Sequence, residues 1–279
     1  MPIAPLRPAA TVVVLRPASP HPFDVLMVRR NDRVAFMAGA YVFPGGRVDD
    51  TDAPEPAGAC DGLVGMGRCA DLSAEDEARY RVAAIRELLE EAGLLLARRG
   101  GRLVDHATAE AVRAEIDPNG AFVEQLAARG LSVALDAVMP FAHWVTPEIE
   151  IRRFDTRFLL ARVPEGQDAS HDAGEMTALE WVAPTDAIAR ARQAEMLLPP
   201  PTWLTLARLS RFASIDAAWQ WAAETPIVRI QPGFFQDHRG TIFTLPGAPG
   251  FPLPPGCEPF DETHFQLADG RWTPVRRSL

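Results

Sequence analysis

Short apolar runs and one long helical period organise the chain. Thr11-Val12-Val13-Val14-Leu15 and Val25 to Arg29 read as strands around a proline-rich turn, Pro17 to Pro22. Gly39 to Phe43 predicts a third strand leading into Pro44-Gly45-Gly46. From Ala74 to Ala92 the period changes: Val82, Ile85, Leu89 and Ala92 repeat at three- and four-residue intervals, the apolar stripe of a helix docked on a sheet. Ser73 is placed to cap its start, Glu75, Asp76 and Glu77 suit its first turn, and Gly93 suits a left-handed stop. Ala107 to Ala128 predicts two short helices, divided at Asp117-Pro118-Asn119-Gly120. Val138 to Val145, Arg157 to Val163 and Met176 to Val182 predict strands, and Thr185 to Gln193 a closing helix. Strands and helices mixed in this order imply a layered α/β architecture.

Past Pro199-Pro200-Pro201 the pattern weakens. Thr202 to Phe212 and Ile215 to Ala223 read as helices, followed by Pro- and Gly-rich chain with a strand at Thr241 to Leu245 and a hairpin around Asp269-Gly270. This tail is expected to wrap either the preceding unit or a second copy. The organisation expected is one domain over residues 8–200, with insertions at about 51–74 and 105–130, and a helical, proline-rich extension over 201–279.

The polar side of the long helix carries the chemistry. Arg86, Glu87, Glu90 and Glu91 stand at spacings that bring them to one face, with Arg86 within reach of Glu90. Three crowded carboxylates need a compensating charge, and hard oxygen donors suit Mg²⁺ or Mn²⁺. A solvated acidic face would show the same spacing, so the upstream loop decides. Tyr41-Val42-Phe43-Pro44-Gly45-Gly46 ends an apolar strand in a tight turn, whose main chain can closely approach a metal or phosphate at Gly45 and Gly46.

Together the two segments resemble the Nudix box, G-x5-E-x7-R-E-U-x-E-E-x-G-U with U apolar. The match is split: Gly46 lies forty residues before Arg86, and Ala78 stands eight before it. An insertion of about Thr51 to Ala74 therefore interrupts the box and displaces its first glutamate, for which Asp52, Glu75 and Glu77 are candidates. Arg33 to Gly46, His143-Trp144-Val145-Thr146-Pro147, Arg152 to Phe158 and Pro199 to Trp203 resemble the insertion-bearing subfamily typified by the animal peroxisomal coenzyme A diphosphatase. The resemblance spans about residues 10 to 210.

What the resemblance implies is specific. The fold would be a Nudix α/β/α sandwich with a mixed sheet. The metal shell would comprise Glu87, Glu90, Glu91, the Gly46 carbonyl and a loop ligand or base at Glu175, with Asp172 and His171 as alternatives. The reaction would be metal-dependent hydrolysis of a nucleoside diphosphate compound, with coenzyme A or acyl-coenzyme A as leading substrate. ADP-ribose, NADH and nucleotide sugars compete with it, as does a non-catalytic nucleotide-binding module. The subfamily's substrate pattern wants arginine thirteen and eight residues before Phe43. Arg30 fills the first place, Ala35 stands at the second, and Arg33 lies close by. Arg152, Arg153 and Arg157 are further phosphate candidates, and Trp144 and Phe36 candidates for stacking on a base.

Composition narrows the classes. All 28 basic residues are arginine, which excludes a lysine base, a Schiff base and a P-loop lysine. A formal charge of −9 argues against a nucleic-acid backbone as partner. No apolar run reaches membrane length, there is no signal-peptide pattern, and Arg277-Ser278-Leu279 is not an S-K-L-type address; the expected compartment is the cytoplasm. Cys60, Cys69 and Cys257 are expected as free thiols. The expected partner is a small nucleotide, with a homodimer left open.

Overall fold

The computed structural model describes residues 3–32, 37–62, 67–171, 176–238, 240–268 and 270–275. An eight-stranded mixed sheet forms its centre. Strand β1 (Leu6–Pro17) is the axis. It runs parallel to Arg153–Arg162 from Leu6↔Arg153 to Leu15↔Arg162. Its other edge changes partner along its length: β4 (Gly45–Arg47) pairs with Ala9 to Thr11, and β2 (Phe23–Arg30) with Leu15 to Pro17. Strand β3 (Tyr41–Val42) pairs with β2, Met176–Val182 flanks β2, and Val138–Val145 then Arg229–Ile230 extend the far side.

Alternation along β1 sends its neighbours to opposite faces, and each face is covered. Ala10, Val12 and Val14 pack with Val82, Ile85, Leu88 and Leu89 of helix α1 (Ala74–Ala92). Helices α2 (His106–Glu115) and α3 (Phe122–Ala127) join that layer. Val13 and Leu15 pack on the other face with α4 (Pro184–Arg192), α5 (Pro200–Leu209) and α6 (Ile215–Glu224). The result is the expected α/β/α sandwich. Among the described residues, no helix is long and apolar enough to cross a membrane.

Helix α1 begins and ends where its sequence implies: the Ser73 hydroxyl accepts from the Asp76 N–H, and Gly93 adopts φ 68°. Gly45–Arg47 differs from expectation, being a strand rather than a tight turn. A Cβ on Gly45 would lie 2.3 Å from the Ala10 carbonyl oxygen, so glycine permits this close pairing with β1.

The box insertion is tied down at both ends. Asp52 is fully buried. Arg68 donates to the carbonyls of Ala222 (2.8 Å) and Thr225 (3.3 Å), and Asp71 accepts twice from Arg157 (3.0 and 2.6 Å). The C-terminal tail wraps this same unit. Arg229–Ile230 continues the main sheet, while Gly233–Asp237, Gly240–Thr244, His264–Ala268 and Arg271–Pro274 form an antiparallel sheet whose Leu245 and Phe265 neighbourhood packs into the α5/α6 core.

Candidate active site

Arg86 is the hub. It projects from α1 with 6% of its surface exposed, and its planar guanidinium meets partners on every side. Nε and Nη2 donate to Asp52 (2.8 and 3.1 Å), Nη2 donates to the Arg47 carbonyl (3.0 Å), and Nη1 donates to Glu87 (2.9 Å) and Glu90 (3.3 Å). Burial alone would depress its pKa; the bonds to Asp52 and the neighbouring carboxylates outweigh that and raise it.

Asp52 is the partner that the split box left unassigned. It follows Gly46 by six residues, the G-x5-acid spacing of the uninterrupted motif, so the insertion proper starts just after it. That spacing was the available signal.

The three glutamates are held differently. Glu91 is buried and accepts from the Gly45 N–H at 2.8 Å, locking the helix to the glycine strand. Burial pushes the Glu87 carboxyl up to about 7; Arg86 pulls it down and Glu90 pushes it further up. Burial likewise raises Glu90 against the pull of Arg86. Gly46 lies hard against Glu87, since a Cβ there would sit 2.2 Å from Oε1. A side chain would fill the space between main chain and carboxylate.

Glu87, Glu90 and Glu91 form a hard oxygen set in which one cation, Arg86, is shared with Asp52, so a divalent ion fits its charge and chemistry. The described residues contain no preformed cage of three His, Cys, Asp or Glu side chains. Arg86 bridges Glu87 and Glu90 instead. Glu175 and Asp172 lie outside the described residues, as do Arg33, Ala35 and Phe36.

A pocket of about 1110 Å³ opens over this cluster, lined by Gly45, Gly46, Arg86, Glu87, Glu90 and Glu91 together with Arg30. Arg30 is half-buried, its Nε has no hydrogen-bond partner, and no carboxylate pairs with it among the described residues. Arg153 does not line the pocket: its guanidinium donates to the main-chain carbonyls of Thr146 and Ala4, both at 3.2 Å. Neighbouring Arg152 does line it, along with Arg7. Arg157 is engaged by Asp71. Trp144 reaches the pocket, with its ring 5.9 Å from Phe260. The proline turn Pro199-Pro200-Pro201 lines it, as do Phe243, Leu245, Phe265 and Trp272, whose sequence predicts strands but nothing that ties them to the site.

Comparison with known proteins agrees with this geometry. The sequence model of the NUDT19 Nudix domain family matches residues 67–209. The chain is 30% identical over 293 residues to the Gallus gallus protein named acyl-coenzyme A diphosphatase NUDT19, covering 88% of this chain and 75% of that one. It is 28% identical to the Homo sapiens protein of the same name, covering 86% and 76%. A crystal structure of a NUDIX hydrolase from Alicyclobacillus acidocaldarius superposes with a TM-score of 0.69 at 31% identity, over 78% of this chain and 97% of that one.

Proposed function

The chain belongs to the NUDT19 Nudix domain family of Nudix hydrolases, and on that premise we propose that it hydrolyses the diphosphate of coenzyme A and its acyl thioesters. The products are 3′,5′-ADP and phosphopantetheine or its acyl form. Relatives named acyl-coenzyme A diphosphatase, similar along most of their length, support this choice over ADP-ribose, NADH or nucleotide sugars. The observation that carries it is the shared pocket, where the carboxylate cluster and Arg30, which no carboxylate pairs with among the described residues, face one cavity.

Nudix hydrolases use divalent metal ions, and Mg²⁺ is the ion proposed here, with Mn²⁺ as substitute. Held by Glu87, Glu90, Glu91 and the Gly46 carbonyl, such an ion would neutralise diphosphate charge and activate water for attack. The protein does the rest. Arg86, braced by Asp52, keeps Glu87 and Glu90 at fixed positions. Glu91 holds the glycine strand against the helix through Gly45. One of these glutamates takes the proton of the attacking water. The water oxygen joins one phosphorus, the bridging P–O bond breaks, and the departing phosphate leaves with the bridging oxygen. Arg30 offers a permanently charged fork for a phosphate away from the reacting pair, as the 3′-phosphate of coenzyme A is.

A panel of coenzyme A, acetyl-coenzyme A, ADP-ribose and NADH, assayed with Mg²⁺ and then Mn²⁺ and with products weighed by mass spectrometry, tests this. The coenzyme A compounds should lead by at least about tenfold in kcat/KM. A tenfold preference for ADP-ribose or NADH would sink the substrate while leaving the hydrolase.

A further inference from the structure

The family match ends at residue 209, but the pocket does not. Phe243, Leu245, Phe265 and Trp272 line the same cavity as the carboxylates, and all four belong to the antiparallel C-terminal sheet or its immediate edge. They form a fixed surface. Phe243 and Trp272 meet edge to face with ring centroids 4.6 Å apart, and Phe265 meets Trp203 of α5 at 6.1 Å. Phe243, Leu245 and Phe265 are at most 5% exposed, while Trp272 is only half-buried, so the tryptophan is the member with most surface left to cover.

Charge and apolarity are both present in this one cavity. Glu87, Glu90 and Glu91, with Arg7, Arg30 and Arg152, supply the polar lining; the aromatic set supplies an apolar one. Ordinary small-molecule pockets measure roughly 300–1,000 Å³, so about 1110 Å³ leaves room beyond a nucleoside diphosphate. An adenine stacks on one or two flat faces, and Trp144 lines the same pocket, so the three C-terminal rings and Leu245 remain for an apolar group. A hydrocarbon chain attached to the far end of the same molecule is such a group, and each buried methylene favours binding by about fourfold.

We propose that this C-terminal sheet is a specificity wall, on which Trp272, backed by Phe243 and Leu245, holds the acyl chain of a coenzyme A thioester while its diphosphate lies at the carboxylates. The proposal rests on the coenzyme A reading above and adds what selects among its esters. The wall acts by binding the end remote from the reacting phosphates, so it should act on KM more than on kcat.

The experiment is a chain-length series of coenzyme A, acetyl-, hexanoyl- and dodecanoyl-coenzyme A on the wild type, Trp272→Ala, Trp272→Phe and Phe243→Leu, with melting temperature measured on each. In the wild type kcat/KM should rise along the series through a falling KM. Trp272→Ala should lower the dodecanoyl-to-acetyl ratio of kcat/KM by at least tenfold, with most of the loss in KM. Phenylalanine at that position should restore most of the ratio. Phe243→Leu, which keeps an apolar core side chain, should lower the ratio in the same direction should Trp272→Ala fail to fold. A ratio unchanged in both positions, or a loss equal for every substrate, overturns the wall. So does a wild type that cleaves coenzyme A compounds without regard to chain length. A wild type that cleaves none of them but does cleave ADP-ribose overturns the underlying reading as well.

Discussion

At the scale of single residues, one buried arginine sets the geometry of the site. Arg86 cannot be replaced by a lysine-like point charge, because its five donors are divided among Asp52, Glu87, Glu90 and a main-chain carbonyl. Removing one member of a buried ion pair typically costs about 3–5 kcal/mol, since the other charge is left uncompensated. Asp52→Ala should therefore destabilise the protein by about that much in urea titration and weaken turnover, with Mg²⁺ affinity falling in step. Unchanged metal titration would show that Asp52 does not brace the site. Glu90→Gln and Glu91→Gln should each lower kcat by at least about a hundredfold in a folded protein, because an amide supplies neither the charge nor the proton acceptor. Near wild-type turnover in both, across Mg²⁺ concentrations, would move the active centre elsewhere. Arg30→Ala should leave kcat within a few-fold but erase any preference for coenzyme A over its 3′-dephospho form. A preference that survives would assign the phosphate contact to another arginine, such as Arg152 or Arg7.

At the scale of elements, legibility followed locality. Helix α1 was readable to the residue because its period, its Ser73 cap and its Gly93 stop all lie within the segment. Val138–Val145 and Met176–Val182 were readable for the same reason, as apolar runs bounded by polar chain. Cys60–Asp61 and Arg102–Leu103 were not, because two residues hold no period and a partner elsewhere in the chain makes them strands. Gly45–Arg47 reads locally as a turn, and distant β1 turns it into a strand. The insertion is rich in small residues without a helical or strand period, and long-range contacts place it: Asp52 at its start and Arg68 and Asp71 near its end reach the helix, α6 and the sheet. The last of these contacts predicts an acid limit. The hydrogen bond from Arg157 holds the Asp71 carboxyl below its ordinary value of 3.8. Asp155, 3.7 Å from the same guanidinium, is also lowered: burial would raise it, but the His143 hydrogen bond and the charges of His143 and Arg157 prevail. Carboxyls depressed in the folded state stabilise it above their unfolded pKa, and that contribution disappears as pH falls through the folded value. The melting temperature of wild type should exceed that of Asp71→Asn by a constant margin above about pH 5, and the two should converge below the ordinary carboxylate range. A margin that persists undiminished at pH 2.5 would mean that the Asp71 charge contributes nothing.

At the scale of the whole molecule, the question is whether residues after 200 can be separated from those before. Their sequence has little apolar periodicity of its own, and the structure shows where their apolar residues go. Trp203, Leu206 and Leu209 of α5 and Ala218 and Ala222 of α6 complete the core on one face of the main sheet, and Leu245 and Phe265 join them there. Ile230 pairs alongside Trp144 at the sheet edge. Charged contacts run across the same boundary, from Arg162 to Asp216 and from Arg192 to Glu262, although such exposed pairs contribute little. The apolar contacts decide the matter. Losing one large core side chain costs about 2–5 kcal/mol, and a domain's whole net stability is about 5–15 kcal/mol. Truncation after Thr225 removes Ile230, Leu245 and Phe265 at once, enough to consume most of that margin. The full chain should therefore unfold in one calorimetric transition, with calorimetric and van't Hoff enthalpies in agreement. The 1–225 fragment should be insoluble or lack a cooperative melt. Two resolved transitions in the full chain, or a soluble 1–225 fragment that still cleaves acetyl-coenzyme A, would show that the sandwich stands alone and that the C-terminal sheet is an attachment rather than part of its core.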